Sequence, residues 1–417
     1  MPDTPSLTSN GARAADPSAG RSPVSRRRAR AGRPTVLVLW TGYPPGPRTC
    51  RSLKRAGFPV IGAFPEGRSG GSSSGCVRPL RYPSPTQNPD GFIARVAEIV
   101  RTHKVEAVVP LDEDIVRLIA ERADEIGEVV VVGPNARQYH TLCDKLELTR
   151  TAQALGLDTP HTVVVDENGP DGPWPTLPSI VKPRTSRSET VRPRMVMTEA
   201  ERDEYVDELV ELGIGAIVQE RIDGPRWLVQ SVRGPGVFEH VAFRVLDEWP
   251  RGAGPASYKR NVQAPPELVA SARALLDSVD YNGPSGVSFM EAHGRFYPHD
   301  ANLRLGASSP ASPHAGFDFP RRAVEAVLEL DGEPFSGAWR PGRFMRLDLE
   351  LEALGSAWAN RKEGGAPWVV LRRILSVGFS RQGMLDPSPF DPFWVGQLLG
   401  RVGRKVGRTA RSRVRPH

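Results

Sequence analysis

An α/β domain built on a parallel sheet, followed by α+β lobes, is the fold class that this 417-residue sequence predicts. Two observations carry the prediction. Between residues 34 and 142, short continuous apolar runs alternate with stretches of helical period, as buried parallel strands alternate with covering helices. From about residue 143 the runs lengthen, alternate apolar with polar, and meet at turn signals such as Gly234-Pro235-Gly236. That texture is antiparallel. At this length two or three domains are expected rather than one.

The elements follow in order. Residues 1–33 are rich in Ser, Pro, Ala and Arg and read as a disordered basic tail. Thr35–Trp40 is a buried first strand, bounded by Pro34 and Thr41-Gly42. A helix over Arg48–Ala56 leads to a strand over Pro59–Phe64. Gly67–Gly75 reads as a mobile surface loop. An amphipathic helix over Phe92–Thr102, a strand over Glu106–Leu111, a helix over Asp112–Ile126 and a strand over Val129–Val132 complete the domain. The turn after the first strand, Thr41-Gly42-Tyr43-Pro44-Pro45-Gly46, lacks the Gly-x-Gly-x-x-Gly spacing that lets a backbone approach pyrophosphate. It argues against a dinucleotide site.

Downstream, Glu199–Leu212 and Pro266–Val279 read as helices, and Gly215–Arg221, Trp227–Val232 and Val237–Leu246 as strands. Residues 331–403 form a C-terminal extension in which Arg343–Leu354 has both strand and helix character. Asp386–Pro392 is a rigid turn ahead of an amphipathic helix near Phe393–Val402, and residues 404–417 are a second basic tail.

Charge excludes one function class. The net charge is +7, but residues 1–33 carry +5 and residues 401–417 carry +7, which leaves the body between them at −5. The folded part is not a basic nucleic-acid platform, and no specific nucleic-acid partner is expected. No apolar run is long enough to span a bilayer. Cys50, Cys76 and Cys143 form neither a disulfide framework nor a zinc spacing, so a reduced, cytoplasmic setting is expected.

The chemistry concentrates at Asp300-Ala301-Asn302-Leu303-Arg304. On a strand, side chains at i, i+2 and i+4 share a face, so Asp300, Asn302 and Arg304 would project together. Two oxygen ligands beside a fixed cation suit a divalent metal that bridges phosphates, with the guanidinium stabilising a transferring phosphoryl group. A solvated strand face is the competing reading of the triplet taken alone. Lys182 ends the apolar run Pro178-Ser179-Ile180-Val181, where a point charge suits a phosphate at the mouth of a cleft, and Lys145 opens a helix after Asp144.

Asp300–Arg304 resembles the Glu-x-Asn-Pro-Arg signature of ATP-grasp enzymes, and further landmarks resemble theirs in order and spacing. They are Asp144-Lys145 with the Gly156-Leu157-Asp158-Thr159-Pro160 that follows, Pro178–Pro183, Ala216–Gly224 and Ala315–Pro320. The resemblance covers roughly residues 140–330, closest to the carbamoyl-phosphate-synthase-like, carboxylate–amine ligase branch. It implies a pre-ATP-grasp, Rossmann-like α/β domain over 34–142 and an ATP-grasp domain over 143–330. It also implies an ATP site using Lys145, Lys182, Gln219, Glu220 and Ile222, where the hinge backbone reads adenine and a nearby carboxylate holds the ribose. Asp300 and Asn302 would bind Mg²⁺, or Mn²⁺ in its place, and Arg304 would be catalytic. The segment Glu248–Arg260 is similar to the family's acceptor loop, and Lys259 and Arg260 would hold a substrate carboxylate.

Departures stand beside the matches. The residues after Lys182-Pro183, Arg184–Arg192, contain no glycine, whereas the family's phosphate loop is Gly/Ser-rich. Ser288 stands where the family places a first carboxylate or amide ligand, and the odd offset of Glu291 puts it on the opposite strand face. The resemblance implies an ATP-dependent ligase joining a carboxylate to an amine through an acylphosphate, with small-molecule partners and compatible with a homodimer. Its alternative is a degenerate ATP-grasp protein that binds nucleotide without turnover and serves a pathway as partner or regulator.

Overall fold

A computed structural model describes residues 32–41, 45–66, 79–166, 168–185, 191–359, 366–386 and 388. Both basic tails, apart from Gly32 and Arg33, the Gly67–Gly75 loop, the Asp386–Pro392 turn apart from Asp386 and Ser388, and the helix expected near Phe393–Val402 lie outside them.

The first sheet contains β1 (Val36–Leu39), β2 (Val60–Pro65), β3 (Pro79–Tyr82), β4 (Ala107–Pro110) and β5 (Val130–Val131). All are parallel, in the order β3-β2-β1-β4-β5. The central strand β1 is buried on both faces, which is why its sequence is continuously apolar. The sequence did not reveal β3, a four-residue strand that begins on a proline. The first helix starts at Pro45 rather than Arg48, since proline is tolerated in a first turn. The helix expected over Asp112–Ile126 ends at Glu121, and Ala123–Ile126 forms a separate 3₁₀ turn.

The second sheet is antiparallel, with β6 (Thr162–Asp166), β7 (Gly169–Pro170), β8 (Ser179–Pro183), β9 (Arg194–Val196) and β10 (Ala216–Glu220) in the order β7-β6-β10-β8-β9. It packs on the helix Glu199–Glu211 through Val181, Val196, Val218, Tyr205 and Leu209.

The third sheet has β11 (Arg226–Gly234), β12 (Val237–Glu248), β13 (Ala256–Val262), β14 (Gly283–Ala292), β15 (Arg295–Asn302), β16 (Arg343–Arg346) and β17 (Gly383–Asp386). Their order is β15-β14-β11-β12-β13-β16-β17, antiparallel except for the β16–β17 pair. One face buries Trp227, Val229, Val287 and Phe289 against the helices Lys145–Ala154 and Pro266–Ser278. Val232, Val241 and Phe243 share a core with the helix Phe319–Val327 and with Val36 and Val38 of β1. The first and third sheets are therefore cemented together by apolar burial. The segment from Arg343 is part of this architecture, because β16 pairs with β13 and β17 continues the sheet.

Candidate active site

Between the second and third sheets, polar side chains converge from three elements. Lys145 is the first residue of the helix Lys145–Ala154, and Asp144 caps that helix by accepting from the backbone N–H of Leu146 at 2.9 Å and of Glu147 at 3.3 Å. Asp144 also receives Arg184 Nη2 at 2.9 Å, which ties the segment after β8 to the helix start. The cap fixes Lys145, whose Nζ lies 3.7 Å from Asp300 Oδ1.

Lys182 projects from β8. The sequence placed it at the mouth of a cleft, but it is buried, and its Nζ donates to Gln219 Oε1 at 2.6 Å. Gln219 Nε2 passes the chain on to Thr162 Oγ1 at 2.9 Å. Burial, then Lys145 nearby, pushes the Lys182 ammonium down to about 7, against the pull of Asp300. Glu220 ends β10 exposed, and its Oε2 accepts from the His161 backbone N–H at 3.1 Å. Ile222 lies just beyond that strand, half-buried. The chain then makes a close approach at Gly224, where a Cβ would lie 1.8 Å from the Glu291 carbonyl oxygen.

The expected alternation over Asp300, Asn302 and Arg304 holds for the first two only. Strand β15 ends at Asn302, and Arg304 lies past it. The three still meet: Asn302 Nδ2 donates to Asp300 Oδ2 at 2.7 Å, and Arg304 Nη2 donates to Asn302 Oδ1 at 3.2 Å. Arg304 Nε donates to Glu113 Oε2 at 2.9 Å, a partner the sequence did not suggest. Ser288 sits directly opposite Asp300 in register. Glu291 is held elsewhere, accepting from Trp227 Nε1 at 2.7 Å.

These residues fit a divalent cation of one kind. Asp300 offers a carboxylate, Asn302 an amide oxygen and Ser288 a facing hydroxyl, and among the described residues no cluster of three His, Cys, Asp or Glu exists. A set this poor in charge suits Mg²⁺ that completes its shell with phosphates and water rather than an all-protein cage.

Two residues were missed or misplaced by sequence reading. His299 falls at a register shift between β14 and β15 and is half-buried, with its Nε2 enclosed and unpartnered. Burial, reinforced by Lys182, Arg226 and Lys145, holds its imidazole far below the ordinary histidine range, in the neutral form. Arg226, the first residue of β11, bonds Glu248 Oε2 at 2.9 Å and the Gly254 carbonyl at 2.9 Å. The signals were weak, since one His and one Arg beside apolar strands have many ordinary explanations.

The stretch Glu248–Arg260, read as a loop, is a loop only from Trp249 to Pro255, because β13 begins at Ala256. On a strand, neighbours face opposite sides. Lys259 is buried on one face and Arg260 exposed on the other, so the two do not form one carboxylate clamp. Lys259 lines a cleft with Ser257, Ser308, Arg346, Met384 and Asp386. Burial and then Arg346 push its ammonium down to about 7, against the pull of Asp386. Arg226 lies within electrostatic reach of both Lys259 and Asp300 and links this cleft to the Asp300 cluster.

No family model and no curated protein sequence matches the chain. Solved structures do. An L-amino acid ligase from Bacillus licheniformis superposes with a TM-score of 0.61 at 16% identity, over 74% of this chain and 78% of that one. The carboxyaminoimidazole ribonucleotide synthase of "asperigillus clavatus", solved with ATP, gives 0.61 at 15% identity, over 78% and 86%. The N5-carboxyaminoimidazole ribonucleotide synthetase of Thermus thermophilus gives 0.55 at 20% identity, over 74% and 81%. With its three sheets, its clustered Lys145, Lys182 and Asp300, and these neighbours, the chain has the ATP-grasp fold.

Proposed function

We propose that the protein is an ATP-dependent ligase that joins a carboxylate to an amine or similar nucleophile. The observation that carries this reading is the linked set Lys145, Asp300, Asn302 and Arg304, facing Lys182 from the other sheet. Lys145 and Lys182 act as point charges on the phosphates of ATP, and the backbone from Glu220 to Ile222 reads the adenine edge. Asp300 and Asn302 hold Mg²⁺, which neutralises the phosphates when bound. Arg304, braced by Glu113, faces the transferring phosphoryl group and stabilises the charge that develops there.

Lys259, at the adjoining cleft, holds the carboxylate substrate. A carboxylate oxygen attacks the γ-phosphorus, the bond to the β-phosphate oxygen breaks, and ADP leaves an acylphosphate. The nucleophile's nitrogen then attacks the acyl carbon, phosphate departs with the former carboxylate oxygen, and the nitrogen's proton is lost. The side chains position and screen charge throughout, and none is covalently engaged.

Thermal-shift titration with ATP and Mg²⁺ tests the nucleotide site, since a ligand bound only to the native state raises the melting temperature. Lys182→Met should largely abolish the shift, and an equal shift in the variant overturns the assignment. A second reading, nucleotide binding without turnover, is favoured by Ser288 opposite Asp300, which leaves one carboxylate at the metal position.

A further inference from the structure

The helix Pro367–Gly378 buries Val370 and Val377 and turns its other side to solvent. Trp368 is 69% exposed and Phe379, at the helix end, 88%, with Val369, Leu371 and Leu375 also exposed. At about 100° per residue, Trp368, Leu371, Leu375 and Phe379 fall within a sector of about 80°. A contiguous stripe ending in two aromatics marks an interaction surface, whereas single exposed apolar residues do not.

Charge selects the occupant. No Asp or Glu occurs from Ala366 to Leu385, and Arg372 and Arg381 are exposed beside the stripe. The third arginine of the segment, Arg373, is turned inward to Glu350 and Asp247. Strand β17 packs on this helix, with Gly383 so close that a Cβ would lie 1.8 Å from the Val377 carbonyl oxygen. A second copy of the chain docked here by two-fold symmetry would bring Arg372 and Arg381 towards their own counterparts, with no carboxylate in the segment to pair them.

We propose that this face docks on an anionic lipid bilayer. The helix lies in the interfacial plane, Trp368, Leu371, Leu375 and Phe379 enter the headgroup boundary, and Arg372 and Arg381 meet the anionic headgroups. The inference is independent of the catalytic reading, because it draws on none of the residues of the Asp300 cluster.

Co-sedimentation of the full chain with vesicles of phosphatidylcholine, alone or mixed equally with phosphatidylglycerol, tests it. Binding is expected to the mixed vesicles, to weaken with salt, and to be absent from the neutral ones. The double variant Trp368→Ser/Phe379→Ser should keep the wild-type melting temperature and bind at least about tenfold more weakly, as lost burial of two aromatics requires. Absence of binding to the mixed vesicles overturns the proposal, and so does equal binding to the neutral ones. Unchanged binding by the variant overturns it too, because another part of the chain would then hold the vesicle. A wild-type dimer that becomes a monomer in the variant, by sedimentation velocity, shows the face to be a protein interface instead.

Discussion

Arg304 and Glu113 join the two ends of the proposed catalytic region: Arg304 Nε donates to Glu113 Oε2 at 2.9 Å although 191 residues separate them. Both side chains are about nine-tenths buried. Glu113 opens the helix Glu113–Glu121 of the first domain, so the cation proposed to meet the transferring phosphoryl group is aimed by a domain to which no phosphate ligand is assigned.

Removing one partner of a buried ion pair leaves the other charge less compensated, and because Arg304 keeps its bond to Asn302 the cost is about 1–3 kcal/mol. Glu113→Ala should lower the unfolding free energy by about that amount, read by urea denaturation. It should also reduce ADP formation at least tenfold, to about a tenth or less, while ATP affinity changes little. Unchanged turnover in a folded variant would show that Glu113 does not aim Arg304.

Arg304→Ala should leave ATP binding nearly intact and cut ADP formation about 100- to 1000-fold, since that charge is needed most in the transition state. Asp300→Asn should instead weaken Mg²⁺-dependent binding itself, because a charged ligand is lost. Calorimetric titration beside a turnover assay separates the two patterns.

The proton balance gives a third test. Lys182 and Lys259 titrate near pH 7 in the folded protein. In the unfolded chain they hold their protons to about pH 10.4. Between these limits the unfolded state binds more protons than the native state, so stability rises with pH. The slope is at most about 1.4 kcal/mol per pH unit for each lysine. Below pH 7 both states are protonated and the burial penalty is complete. Urea unfolding at several pH values from 7 to 10 should show a flatter rise in Lys182→Met than in the wild type, and an unchanged slope would contradict the burial of a strained ammonium.

Lys259→Met should raise the KM for the carboxylate substrate, whereas Arg260→Ala should leave it unchanged, because β13 sends the two side chains to opposite faces. Steady-state kinetics at saturating ATP decides between them.

What the sequence made legible was whatever depends on local pattern. The buried run Val36–Leu39 and the helix led by Asp144 were readable because apolar continuity and a capping carboxylate act over a few residues. The motif order placed Lys145, Lys182, Asp300 and Asn302 in one region, and the structure brings them together. Long-range facts were not legible. The Glu113 partner of Arg304, the three cations around His299 and the joining of β16 to β13 depend on contacts between segments far apart in the chain. The opposite fates of Lys259 and Arg260 turned on a strand start that lies after a proline-rich loop, where periodicity gives no guide.

The most direct test of the central claim is ADP formation by the purified protein with Mg²⁺-ATP, screened against pools of carboxylates and amines. Carboxylate oxygens in the active pool would be heavy-isotope labelled. ADP release that requires a carboxylate, with one labelled oxygen recovered in the phosphate, is the predicted result. Clear ATP binding with no carboxylate-dependent ADP from any pool would contradict it and leave a nucleotide-binding protein without ligase chemistry.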